Sequence, residues 1–400
     1  MGAMARAGSS PGKGGRNPGS QPALRRQNTH RVLEALAQGG PTTQAKLARA
    51  TGLSTGTISN IVKDLDADRR IVTRPVIDSG RRAIEIALND ARVAVGIDID
   101  ATAAHLVITT ADHTILAEQT YPLPARHTPV DTLRQVRRWL DELLAMGAVG
   151  FADVIGAGVS IPTILDERRA LVSPDPRFPL WEGHDLTEIA ETTFPFPVTF
   201  ENDANLQALA QVTWGPYSRR SVLATVKADQ GIGAGLIVEG KILRGAFGGA
   251  GELGHLQVNP QGERCACGNR GCLQTVAGTG RLLAELRRAR HLPNPPTVAE
   301  LVLLAQRRDA ATIRLLDEAG SAMGQALASL VTLVNPRAVV ISGPLAPVGS
   351  PLLDPIGRAM SRHAHPAMGP RTVLAMSQLG DRAEALGAAA LAAHATAPVG

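Results

Sequence analysis

The three cysteines of this 400-residue chain fall within a single octet, Cys265-Ala266-Cys267-Gly268-Asn269-Arg270-Gly271-Cys272. Thiols separated by glycine and turn residues let one loop fold around one ion, and zinc takes four such ligands at tetrahedral geometry. His255 lies upstream in Glu252-Leu253-Gly254-His255 and supplies a fourth donor. A Cys3His structural site, one zinc per chain, is the simplest reading. A redox cysteine pair and inert buried thiols compete with it. Three cysteines do not make a secreted disulfide framework.

A second set of residues has the spacing of a helix-turn-helix between Thr43 and Leu65. Ala48 is small where two helices cross. Gly52 falls where the turn needs a positive φ, and Ile58 packs back into the crossing. Leu47, Leu53 and Ile61 complete a buried face, and Ser54 is placed to cap the second helix. Ser54, Thr55, Thr57, Ser59, Asn60 and Lys63 are then the candidates to donate to base edges and phosphates. Beyond them, Gly80-Arg81-Arg82 sits in a hairpin turn, where Arg81 and Arg82 suit a phosphate or a narrow minor groove. The alternatives are a helical hairpin used for packing and arginines that are only solvated.

The elements around these residues define the domains. Val32, Leu33 and Leu36 recur at helical spacing before Gly39-Gly40-Pro41. Helices over 43–50 and 55–67 and strands over 70–75 and 83–88 complete a winged helix-turn-helix. Residues 1–22 are Gly, Pro, Ser, Ala and Arg without periodicity and are expected to be a disordered basic tail. After Asn89 the pattern becomes α/β. Strands are expected over 93–99, 105–110, 114–121 and 154–159, with a helix over 129–146. A second set covers 221–226, 234–238 and 242–243. A helical stretch follows over 278–314, broken at 293–296, and a strand over 338–342. Two similar α/β halves would place a ligand in the crevice between them.

Composition narrows the function. Residues 1–90 carry 14 Lys/Arg against 7 Asp/Glu, and residues 91–400 carry 27 against 29. A module of +7 on a body of −2 is the footprint of phosphate-backbone binding, although a solvated basic tail shares it. Aromatic residues are 3%, too few for a base-stacking single-strand binder. No apolar run approaches ~18 residues and no secretory signal is visible, so a cytoplasmic protein with no membrane partner is expected.

Gly231-Ile232-Gly233-Ala234-Gly235, Arg244-Gly245-Ala246 through Gly251-Glu252-Leu253-Gly254-His255, the cysteine octet and Glu201-Asn202-Asp203-Ala204-Asn205 together resemble the ROK family (repressor, open reading frame, kinase). The resemblance covers about residues 91–400. It implies an actin-like ATPase fold of two lobes with sugar in the cleft, here preceded by the winged helix of residues 23–90. By motif position Asn202, Asp203, Glu252 and His255 would bind the sugar, His255 reaching zinc with its other nitrogen. Gln274 stands where the family carries a glutamate of the sugar set.

In the family's kinases Asp203 would be the general base. The phosphate side departs from the kinase pattern. Asp98-Ile99-Asp100-Ala101-Thr102 replaces Asp-x-Gly-Gly-Thr, Asp229-Gln230-Gly231 replaces a Gly-Thr-Gly-like turn, and Ser342-Gly343-Pro344 is short of glycine. Carboxylates among phosphate oxygens oppose ATP, so none is expected as a cofactor. The expectation is a sugar-responsive repressor of carbohydrate genes. It would bind an inverted-repeat operator on double-stranded DNA as a homodimer or dimer of dimers, with a sugar or sugar derivative as effector. The alternative is an ATP-dependent hexose kinase with an added DNA-binding domain.

Overall fold

The computed structural model describes residues 21–67, 70–78, 81–89, 92–110, 113–146, 149–165, 177–219 and 221–395. The chain divides into two units after Asn89. Most of the expected tail, residues 1–20, lies outside the described residues.

In the first unit, α1 (Gln21–Gly39) buries Val32 and Leu36 one turn apart and ends at Gly40, whose φ is +68°. Next come β1 (Thr42–Thr43), α2 (Gln44–Thr51), α3 (Thr55–Ala67), β2 (Ile71–Asp78) and β3 (Arg81–Leu88). Thr43, expected to open the second helix, instead pairs with Glu85 of β3. Two successive β-branched residues favour the sheet edge over a helical turn. The sheet order is β1-β3-β2, and β2 and β3 run further toward each other than expected, to an Asp78–Arg81 pair. Leu47, Ile58, Ile61, Leu65, Ile71 and Ile86 join Val32 and Leu36 in one core.

The second unit holds two sheets of the same design. The first contains β4 (Val93–Ile99), β5 (Ala103–Thr110), β6 (Ile115–Pro122), β7 (Val154–Ile161) and β8 (Val198–Asn202), with α4 (Pro129–Met146) and α5 (Leu186–Thr193) between strands. After α6 (Asp203–Thr213) the second sheet begins with β9 (Leu223–Ala228), β10 (Ile232–Val238) and β11 (Lys241–Ile242). Helices α7 (Gln274–Ala277), α8 (Thr279–Ala289), α9 (Val298–Gln306) and α10 (Ala310–Val334) lead to β12 (Ala338–Ser342), α11 (Ser350–His363), β13 (Val373–Met376) and α12 (Ala383–Ala395). The strand orders are β6-β5-β4-β7-β8 and β11-β10-β9-β12-β13. Each is antiparallel across its first three strands and parallel across the last two pairings.

Each lobe lends its last helix to the other. Helix α6 follows β8 of the first sheet but packs on β9 and β10, whereas α12 follows β13 and packs on β4 and β7. The two helices cross where Gly387 meets the Leu206 carbonyl. The helical stretch expected to end near 314 continues as α10 to Val334, because its apolar face is buried against the second lobe through Val331. None of the described helices is long and apolar enough to cross a membrane.

Candidate functional site

A cavity of ≈ 170 Å³ between the lobes is lined by all five expected sugar-binding residues, Asn202, Asp203, Glu252, His255 and Gln274. The junction of β8 and α6 supplies the first two. Asn202 caps α6, its Oδ1 accepting from the backbone of Ala204 (3.0 Å) and Asn205 (3.3 Å), while its Nδ2 donates to Thr163 O at 3.1 Å. The side chain therefore keeps one N–H for a ligand. Asp203 Oδ1 accepts from the Ala204 amide at 2.7 Å.

Glu252 and His255 come from a loop clamped onto the second sheet. Gly251 has φ +92°, and a Cβ there would lie 1.8 Å from the Ala234 carbonyl oxygen, so only glycine lets the loop seat on β10. Arg244 at the loop's start pairs with buried Glu201 of β8 at 2.6 Å, tying this loop to the opposite lobe. Burial, reinforced by Asp203, raises the Glu252 pKa above the usual carboxylate value. Its Oε2 lies 3.7 Å from His255 Nε2.

Sequence reasoning missed Lys227, a lone cation in the otherwise apolar strand β9 and hence a detectable oddity. Its Nζ donates to Asp203 Oδ2 at 2.7 Å and lies 3.2 Å from Glu384 Oε1 at the start of α12. Burial pulls the ammonium pKa down, but Asp203, Glu384 and Asp98 outweigh it and hold it well above the ordinary lysine value. Burial, helped by Glu384, pushes Asp98 well above the usual carboxylate range against the pull of Lys227. Lys227 also borders a second cavity of ≈ 370 Å³, where Asp98, Asp100, Asp229, Pro344 and Glu384 come together. Asp100, Asp229 and Pro344, drawn from three separate segments, thus line one compartment, with Lys227 and Asp229 lining both cavities.

The ligand atoms of His255, Cys265, Cys267 and Cys272 all lie within 4.8 Å of one another. Cys267 Sγ is 3.7 Å from Cys272 Sγ, and His255 Nδ1 is 3.6 Å from Cys265 Sγ. Tetrahedral zinc with Zn–S near ~2.3 Å and Zn–N near ~2.0 Å requires edges of about 3.6–3.8 Å. The cluster fits a metal ion. The backbone amide of Asn269 lowers the Cys267 thiol to about 7, favouring the ligating thiolate. Since Nδ1 faces the thiols, Nε2 is the nitrogen turned toward Glu252.

On the first unit, Gly52 adopts φ +68° at the turn, as the spacing requires. Ser54 Oγ accepts from the Thr57 amide at 3.1 Å and bonds the Thr57 hydroxyl at 2.8 Å, so these two side chains start the helix. Thr55, Ser59, Asn60 and Lys63 are exposed along α3, and Arg82 is exposed on β3. The Arg81 side chain and turn residues 79–80 lie outside the described residues.

The profile of the ROK family matches residues 94–395, and that of the MarR family matches residues 24–82. The xylose repressor of Bacillus spizizenii is 26% identical over 373 residues, covering 92% of this chain and 95% of that protein. The DNA-binding transcriptional dual regulator NagC of Escherichia coli is 27% identical over 93% of this chain and 94% of its own length. A solved ROK family transcriptional regulator, described as a homolog of the E. coli MLC protein, superposes with a TM-score of 0.79 at 22% identity. It covers 94% of this chain and 97% of that one, and at this identity the likeness speaks for the fold. A two-lobed body, a cleft built on the Gly251–His255 loop and a profile match across most of the chain agree: this protein belongs to the ROK family.

Proposed function

We propose that this chain is a sugar-responsive DNA-binding regulator, a repressor of carbohydrate genes, whose cleft senses sugar and does not phosphorylate it. The observation that carries this reading is the ion pair between Asp203 and Lys227. A general base must take the sugar hydroxyl's proton, and here Lys227 Nζ already donates to Asp203 Oδ2 at 2.7 Å, occupying an oxygen that would receive it. Asp203 still offers lone pairs to a sugar hydroxyl, so binding survives where catalysis does not. Asp100 and Asp229 oppose a nucleotide's phosphates in the adjoining compartment. The relatives named for xylose repression and DNA-binding regulation support the same reading.

His255, Cys265, Cys267 and Cys272 would hold a structural zinc that fixes the His255 ring, leaving Nε2 and Glu252 to meet the sugar. Thr55, Ser59, Asn60 and Lys63 would enter the major groove, with two copies of α3 spaced about one DNA turn apart on an inverted repeat. Sugar in the cleft would bias the lobes through the exchanged helices α6 and α12, and so change the spacing of the two DNA-binding units.

The test is direct. Full-length protein with ATP, Mg²⁺ and a sugar panel should release no ADP, while binding DNA from upstream of its own gene in a salt-dependent, saturable way. Turnover abolished by Asp203→Ala would overturn the reading of the cleft.

A further inference from the structure

Gln274 opens α7 two residues after the last cysteine, and its Nε2 donates to Cys265 Sγ at 3.2 Å. The same side chain lines the sugar cavity. Its Oε1 lies beside Gly254, 3.1 Å from where a Cβ on that glycine would stand. A cysteine that ligates a metal is a thiolate and only accepts hydrogen bonds, so only the N–H end of the amide can face it.

We propose that Gln274 is a positioning residue of the metal centre, and that this duty fixes which atom it shows the cleft. The amide cannot flip while Nε2 serves Cys265, so Oε1, a neutral acceptor, is the group left for a ligand. A sugar hydroxyl or amide N–H at this point is accepted; a group that only accepts is refused. A glutamate here would lose the donor to Cys265. Gln274 is therefore not a weakened copy of the family's glutamate but a residue with a different partner. The inference rests on the reading of the His255–cysteine cluster as a metal site.

The experiment uses the zinc-loaded full chain, its Gln274→Glu and Gln274→Met variants, and matching cobalt(II)-substituted samples. Zinc release to a chromogenic chelator should be roughly 10–100-fold faster in both variants, as expected when a partner of a metal ligand is lost. The sulfur-to-cobalt charge-transfer band should move to longer wavelength in Gln274→Met, because losing the N–H raises the energy of the sulfur lone pair. A role in packing alone would leave that band in place. Circular dichroism of each variant reports folding, and the uncharged Met variant keeps the test open if the Glu variant fails to fold. Equal release rates and unchanged bands in both variants would overturn the Gln274 proposal alone. A wild-type chain that takes up no zinc would overturn the metal-centre reading beneath it.

Discussion

The half of the cleft proposed to hold sugar and the half that faces a kinase's phosphates in the proposed reading are built from the same pseudo-repeated fold, yet their linings differ. The sugar half takes its groups from two backbone-fixed pieces, the α6 cap at Asn202 and the loop seated by Gly251. The phosphate half is lined by Asp98, Asp100, Asp229 and Glu384, with Lys227 as the cation between. Ligand binding depends on backbone geometry that many contacts hold in place. Phosphoryl transfer depends on a few charges, and a few side chains are enough to reverse them. On the proposed reading, the contrast is how a body of this fold would keep recognition and lose reaction.

Removing the metal should strike the sugar half hardest. Cys265→Ser, or a strong chelator, is expected to abolish zinc binding and the thermal upshift that a cognate sugar gives. A saturating ligand at 100 times its Kd is worth ~2.7 kcal/mol, so its disappearance is measurable by thermal shift. An unchanged sugar response in metal-free protein would separate the cluster from the cleft.

The charge at the border is tested by stability. Lys227→Met leaves Asp203, Glu384 and Asp98 facing one another without a cation, at an expected cost of about 3–5 kcal/mol in urea denaturation. It should not create ADP release, because Asp100 and Asp229 remain. A variant as stable as wild type would mean that these carboxylates are already neutral.

Asn60→Ala should weaken specific DNA binding by about 1–3 kcal/mol, and Lys63→Ala should lower the salt slope by about 1. Neither should alter sugar binding, which would separate the proposed DNA-reading surface from the proposed effector cleft. Anisotropy titrations at several salt concentrations measure both.

A pH-dependent effect lies in α12, the helix that joins the halves. Burial, aided by Arg219 and His113, lowers the His394 pKa to about 4. The unfolded chain takes up this proton near pH 6.5 and the folded chain only near 4. Its contribution is therefore complete above 6.5 and is lost as pH falls toward 4. His394→Gln should flatten that part of the pH–stability curve, followed by thermal melts across the window. An identical curve would show that the imidazole is exposed.

The sequence made the first unit and the sugar half readable for the same reason: both depend on short-range patterns. Gly52 and Ser54 set a local turn, and Gly251 through His255 form one contiguous loop. What it hid is non-local. Lys227, Asp203 and Glu384 stand far apart in the chain and meet only because the lobes exchange helices. Helix α12 is mostly alanine and buried along most of its length, so it shows none of the apolar stripe by which a surface helix is recognised. Strands β8 and β13 are short, five and four residues, too few to show an alternating pattern. Gln274 was placed in the cleft, but its bond to Cys265 depends on how the octet folds back.

The central claim is that sugar in this cleft is read by DNA affinity and not converted to product. Fluorescence anisotropy of a labelled duplex from upstream of the protein's own gene, titrated with the full chain across a sugar panel including ATP and Mg²⁺, tests it in one vessel. The account predicts that one sugar shifts the half-saturation point by about 5–150-fold, the range of a typical coupling energy, with no ADP formed. DNA affinity indifferent to every sugar, accompanied by steady ADP release, would contradict it.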